Sequence, residues 1–284
     1  MTQSTARYPS LQGKVACITG AGRARGIGAT IARRLAAEGA SVVLTDIGKP
    51  AGPDLPESFI GTTAELDRIT AQIETDGGQA RATSCDVQRE ADVAACVAHC
   101  VEQFGRLDIW VNNAGVGYLM EPLTDLSADQ WDTVLGVNLR GAWLGTKHAA
   151  QQMIKQGEGG RIINIASQAA KSGFPFAAAY CASKHGLIGL TRVSAIELGQ
   201  HNITANAICP NHITTGLGAW QNEYFSKATG RSLDQYMADM RSRIPIGRPG
   251  LTDDIAKACA WLCSDEAAYV TGEAMNVSGG EEMH

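Results

Sequence analysis

The sequence predicts a single α/β domain built on one doubly wound parallel sheet of about seven strands. Three observations carry that expectation. Short apolar runs alternate with amphipathic stretches along nearly all of the 284 residues. The first apolar run leads into a glycine-rich turn, and the second ends on an acid. The composition, 44% hydrophobic with 32 glycines, suits a compact protein with many tight turns.

Residues 1–12 are expected to be a short flexible arm without the layout of a signal peptide, leaving 13–284 as the domain. Lys14 to Thr19 reads as a buried strand. The turn Gly20-Ala-Gly-Arg-Ala-Arg-Gly26-Ile27-Gly28 follows, then a helix over Ala29 to Gly39 that faces Ile31 and Leu35 inward. Ser41 to Thr45 is a second strand, ending at Asp46 and Ile47. Strand, glycine turn, helix and acid-tipped strand form a dinucleotide-binding unit. Its glycines admit a pyrophosphate to the backbone, and the helix N-terminus opposes the charge. Asp46 is placed to accept from ribose hydroxyls and to repel a 2′-phosphate, which argues for NAD. Arg23 and Arg25 pull toward NADP; the carboxylate acts at contact distance and is expected to win.

Residues 48–62 read as a proline- and glycine-rich surface excursion. A helix over Ala64 to Thr75 and a strand over Ala80 to Cys85 lead to Asp86-Val87. A helix over Glu90 to Phe104 and a strand over Leu107 to Val111 lead to Asn112-Asn113-Ala114-Gly115. One long helix is predicted from about Ser127 to Gln156. Asn138 in its middle is a poor helix former, either solvated or required by its neighbours. A strand over Arg161 to Ala166 runs into Ser167, and a helix over Ala177 to Gly199 carries Tyr180 and Lys184. A strand over Ile203 to Cys209 reaches Pro210, and Ala274 to Val277 is the last strand.

Tyr180 and Lys184, four residues apart, project from one helical face. A free phenol ionises near pH ~10, too high for proton transfer at neutrality, and a neighbouring ammonium favours the phenolate. With the Ser167 hydroxyl, this set can polarise a carbonyl and move its proton. Taken alone, a Tyr-x-x-x-Lys spacing and a serine after a strand are common in plain helices and turns.

The net charge of −5 gives no electrostatic case for nucleic acid or an anionic membrane, and no apolar run spans a bilayer, so a cytoplasmic protein is expected. The eight cysteines contain no Cys-x-x-Cys pair; Cys96 with Cys100 and Cys259 with Cys263 read as buried thiols, and no metal site is expected.

With these residues in view, the chain resembles the short-chain dehydrogenase/reductase family, which has a Rossmann-like fold. The matches are Thr19-Gly20…Gly26-Ile27-Gly28, Asp46, Asp86-Val87, Asn112 to Gly115, Asn138, Ser167, Tyr180-x-x-x-Lys184, Pro210 and Gly279-Gly280; Ser167 precedes Tyr180 by 13 residues. The resemblance implies Tyr180 as general acid/base, Lys184 lowering its pKa and holding the nicotinamide ribose, Ser167 on the substrate oxygen, and Asn138 holding a relay water. It places Asp86 at the adenine, Asn113 to Gly115 along the adenosine, and Ile165, Pro210, Ile213 and Thr215 around the nicotinamide. The implied reaction is hydride transfer between a secondary alcohol (polyol, cyclic or aryl-type) and NAD, in a homo-oligomer, a tetramer or dimer. The alternative enzyme is an NADP-dependent 3-oxoacyl-thioester reductase; a silent dinucleotide sensor would be expected to lack Ser167, Tyr180 or Lys184.

Two departures stand out. Five residues separate Gly20 from Gly26 where the family has three, so either Gly22 takes over part of the first glycine's role or the turn bulges. The family's Pro-Gly is Pro210-Asn211 here, which sets His212 near the nicotinamide edge. Substrate choice is expected from Gly117-Tyr118, Gln168, Phe174, Phe176, His212 and a two-helix lid over Gly216 to Pro245 that carries Trp220.

Overall fold

The computed structural model describes residues 7–48, 61–117 and 121–283, excepting the side chains of 216, 217, 220 and 221. The elements in order are β1 (Val15–Ile18), α1 (Ile27–Ala37), β2 (Ser41–Asp46), α2 (Thr63–Thr75), β3 (Gln79–Ser84), α3 (Glu90–Phe104), β4 (Ile109–Asn112), α4 (Ala128–Leu135), α5 (Gly141–Gln156), β5 (Gly160–Ile165), α6 (Ala178–Leu198), β6 (Ile203–Pro210), α7 (Gly216–Ala228), α8 (Leu233–Arg243), α9 (Thr252–Cys263) and β7 (Ala274–Val277).

All seven strands are parallel, in the order β3-β2-β1-β4-β5-β6-β7. The chain reverses its direction of growth between β1 and β4, and a crevice opens there at the carboxyl ends of the strands. Period-two alternation sends each strand's residues to both faces. In β1, Ala16 and Ile18 pack with Ile31 and Leu35 of α1 and Ile255 of α9, whereas Val15 and Cys17 pack with Cys96 of α3 and Leu144 and Met153 of α5. Burial on both faces is why these strands read as near-continuous apolar runs. All eight cysteines are free thiols; seven are buried and Cys181 is half-buried.

Two sequence expectations need correction. Residues 8–12 are not a loose arm. Tyr8 and Leu11 are buried, a 3-10 turn covers Pro9–Leu11, and the Tyr8 N–H donates to the Glu38 carboxylate at 2.8 Å. The long helix is not continuous either. A π-turn over Gly136–Arg140 separates α4 from α5 and widens the helix where Asn138 turns inward. The periodic pattern carries no mark of such a one-residue widening. Helix α9, not delimited in the sequence reading, packs on α1.

A buried polar ladder crosses the sheet. Trp110 Nε1 donates to Asn112 Oδ1 at 2.7 Å, Asn112 Nδ2 donates to Asn164 Oδ1 at 2.8 Å, and Asn164 Nδ2 donates to Thr191 Oγ1 at 2.8 Å. Each partner satisfies a group that would otherwise cost about 1–3 kcal/mol to bury. The ladder fixes β4, β5 and α6 against one another, directly beneath the crevice.

Candidate functional site

The glycine turn shapes one end of the crevice. Gly20 has φ of +65°, and a Cβ there would come within 2.6 Å of the Ala114 backbone, so the turn lies flat on the loop after β4. Asn113 locks it in place, Nδ2 donating to the carbonyls of Thr19 and Gly20 at 2.8 and 2.9 Å. The two extra residues form a bulge, and Gly22 does not substitute for Gly20. The Gly22 N–H donates to Asp46 Oδ2 at 2.8 Å, and a Cβ on Gly22 would sit 2.7 Å from that oxygen. Asp46 also accepts from the Ile47 N–H at 2.8 Å. Burial pushes the Asp46 carboxyl up from its usual value, and the backbone donors and Arg23 partly oppose that. The bulge is held from outside, where the Ala24 N–H donates to Glu65 and Arg33 donates to the Ala24 carbonyl.

The residues of this turn fit a dinucleotide on an observation independent of any motif. Gly26, the N-cap of α1, supplies no side-chain acceptor, so the first amides of the helix open on the crevice. Asp46, Ile47, Asp86 and Val87 line the same end, with Ala114 and Gly115 across from them. Arg23 lines it too, and burial lowers its guanidinium pKa against the opposing pull of Asp46 and Glu65. Arg25, the arginine expected at the cofactor, is exposed at the tip of the bulge and does not reach the crevice wall.

At the other end, β5 delivers Ile165 and the turn after it Ser167, α6 delivers Tyr180 and Lys184, and β6 ends on Pro210, with Ile213 and Thr215 following it onto the same wall. The Ser167 hydroxyl accepts from the Ala169 N–H at 3.1 Å, which fixes its rotamer. Lys184 is buried at 5% exposure, its Nζ donating to the Ile165 carbonyl at 2.8 Å and lying 5.6 Å from the Tyr180 ring centroid. Burial lowers its ammonium from the ordinary 10.5 to about 8.

Asn138 stands behind this pair as a clamp. Its amide accepts from the Val116 N–H at 2.8 Å and donates to the Val116 carbonyl and the Ser183 hydroxyl, both at 3.1 Å. The loop after β4 is thereby tied to the residue preceding Lys184. Of the two open sequence readings, the neighbours' need for Asn138 is the one that holds.

The substrate-side residues do not all meet on this wall. Gln168 turns its amide to Glu282, and His212 faces Glu281, with its Nε2 3.9 Å from that carboxylate. Phe174 is half-buried on the turn before α6, and Phe176 beside it is exposed with φ of +65°. Trp220 lies on α7, its side chain outside the described residues, and Tyr118 falls wholly outside them. Asn211 and Val116, neither expected at the site, line the crevice. No group of three or more metal-ligating side chains occurs among the described residues, nor any helix long and apolar enough to cross a membrane.

Comparison with known proteins agrees with this arrangement. The family described as enoyl-(acyl carrier protein) reductase matches residues 20–282. A short-chain dehydrogenase/reductase of Armillaria gallica is 38% identical, covering 95% of this chain and 96% of its own. The D-threitol dehydrogenase of Mycolicibacterium smegmatis is 37% identical, with 95% and 93% covered. A solved chain from Sinorhizobium meliloti 1021, described as a short-chain alcohol dehydrogenase, superposes with a TM-score of 0.82 at 35% identity, covering 96% of this chain and 98% of that one. The chain belongs to the short-chain dehydrogenase/reductase family, whose members are nicotinamide-dependent oxidoreductases.

The buried ammonium has a consequence for stability. The unfolded lysine holds its proton up to the ordinary 10.5, whereas the folded one releases it near 8. Its charge therefore destabilises the fold below pH ~8, and that penalty is relieved as pH rises toward ~10.4. Without cofactor, Lys184→Met is expected to be more stable than wild type at pH 7, by at most about 3 kcal/mol less the lost bond to Ile165. The gap should close by pH ~10 in parallel denaturant titrations; a gap independent of pH would contradict the burial account.

Proposed function

We propose that this short-chain dehydrogenase/reductase is an NAD(H)-dependent enzyme that interconverts a small secondary alcohol and its ketone. The observation that carries the reading is Lys184 buried beside Tyr180, on one wall with Ser167. In the oxidative direction Tyr180 takes the substrate's hydroxyl proton, and Lys184 favours the phenolate that receives it. Ser167 donates to the substrate oxygen and holds the reacting carbon toward the crevice. A bound nicotinamide supplies the hydride acceptor. Gly20 to Gly28 would receive its pyrophosphate, Asp46 and Ile47 the adenosine ribose, and Asp86 and Val87 the adenine. Lys184, Ile165, Pro210, Ile213 and Thr215 would hold the nicotinamide end. Asn138 keeps the Lys184 backbone in place and holds the relay water toward bulk solvent.

Within the alcohols we favour a polyol. The named relative that acts on threitol supports this, as does the polar character of the substrate end, where Asn211, Gln168 and two glutamates gather. Helices α7 and α8 serve as the lid. Exposed Trp143 and Ile154 on α5 and Val193 and Ile196 on α6 support pairing of copies through these helices, in a dimer or tetramer.

One observation favours a second reading. Arg23 lines the adenosine end beside Asp46 and would welcome a 2′-phosphate, as an NADP-dependent 3-oxoacyl-thioester reductase requires. Asp46 favours NAD instead: its carboxylate, held by two backbone donors at the same end of the crevice, would repel a 2′-phosphate.

Two measurements test the proposal. Tyr180→Phe should lower kcat for a secondary alcohol by roughly three orders of magnitude while Kd for NAD stays within a fewfold; near-normal turnover would remove Tyr180 from the chemistry. Asp46→Ala should shift the NAD/NADP ratio of kcat/KM toward NADP by about tenfold or more. An unchanged ratio would give the choice of cofactor to Arg23.

A further inference from the structure

The residues after β7 bring a carboxylate to Asn211, which stands where the family pattern has glycine. Ser278 to Glu282 turn through Gly279 and Gly280, with φ of +66° and +91°, against Ile244 and Pro245. The Ile246 N–H closes the turn on the Gly279 carbonyl at 3.2 Å. The turn sets Glu281, 14% exposed, against Asn211, with His212 Nε2 at 3.9 Å and Arg243 Nε at 3.5 Å. Glu282 reaches Gln168, one residue past Ser167. The tail thus joins the loops after β5 and β6, between which a substrate must enter.

Asn211 is the member of this set on the crevice wall. It does not serve as a surrogate glycine, because the only non-glycine residues with positive φ among those described are Phe176 and Asn202. Its side chain is what matters. A carboxylate only accepts, so the atom bonded to Glu281 is the amide nitrogen, and the amide oxygen of this crevice-lining residue is the side chain's remaining acceptor. Were Glu281 uncharged, the amide would be free to turn and offer either group.

We infer that Asn211, oriented by Glu281, is a specificity-determining residue that accepts a hydrogen bond from a second hydroxyl of the substrate, on the carbon next to the one oxidised. The ligand class is a neutral vicinal diol or polyol. Asn211 is the contact and Glu281 its positioning residue, and the inference rests on the alcohol dehydrogenase reading above.

The test compares butane-2,3-diol with butan-2-ol, using NAD and the full chain. Wild type should favour the diol in kcat/KM. Glu281→Gln and Asn211→Gly should each lower the diol-to-alcohol ratio about tenfold, chiefly through KM for the diol. Equal losses on both alcohols would make the pair merely structural and overturn the inference. So would an unchanged ratio, or a ratio held while KM for NAD rises. Asn211→Gly leaves the tail intact and keeps the test available if the tail variant fails to fold. Wild type that oxidises butan-2-ol without favouring the diol refutes this inference alone; wild type that oxidises neither, with NAD or NADP, refutes the alcohol reading and this inference with it.

Discussion

An ammonium group buried at the end of a strand is the constraint around which this site is arranged. Lys184 is 5% exposed, and the Ile165 carbonyl accepts from its Nζ. Keeping a charge there is costly, which is why its pKa falls to about 8. Tyr180 lines the same wall, its ring centroid 5.6 Å from the Lys184 Nζ. Tyr180 sits one helical turn before Lys184, and α6 fixes their relation with no loop between them. The surrounding structure serves to hold that turn of helix still: Asn138 binds Ser183, and the Asn112–Asn164–Thr191 ladder binds α6 to the sheet below it. A stiff support suits a site whose reacting groups must meet within a few tenths of an ångström.

The topology supplies the rest of the crevice. Parallel strands deliver their last residues to one edge, so Thr19, Asp46, Asn112, Ile165 and Pro210, distant in sequence, become neighbours there. The reversal between β1 and β4 leaves room for a dinucleotide, and the turn before α1 presents backbone amides to it. The two-residue bulge in that turn gives Asp46 a backbone donor from Gly22. That donor, with the Ile47 N–H, fixes the carboxylate on the crevice wall.

Strand and helix positions were legible in the sequence because buried parallel strands and amphipathic helices have periods that a linear reading detects. Many residues of the crevice wall were legible for a related reason: Asp46, Asp86, Ile165, Ser167 and Pro210 lie at or just past the end of a strand, so their place follows once the strand is found. What escaped has no periodic signature. The π-turn at Asn138 differs from an α-helix by a single hydrogen-bond offset. Packing of Tyr8 and Leu11 depends on Glu38, some thirty residues away. The choice between Arg23 and Arg25 depends on the path of a bulge, which residue types do not fix. The substrate side was the least legible, because Gln168 and His212 take their orientation from the distant Glu282 and Glu281. A pair of adjacent glutamates looks like ordinary solvated charge until the fold places it.

Under the proposed function, the charge on Lys184 sets the ionisation through which Tyr180 works. The pH dependence of kcat/KM for butan-2-ol oxidation, measured in wild type and Lys184→Met at fixed saturating NAD, tests it most directly. The account predicts that wild-type activity rises on an apparent ionisation below the ~10 of a free phenol, and that loss of the ammonium moves this limb upward by about a unit or more. Superimposable pH profiles would contradict it.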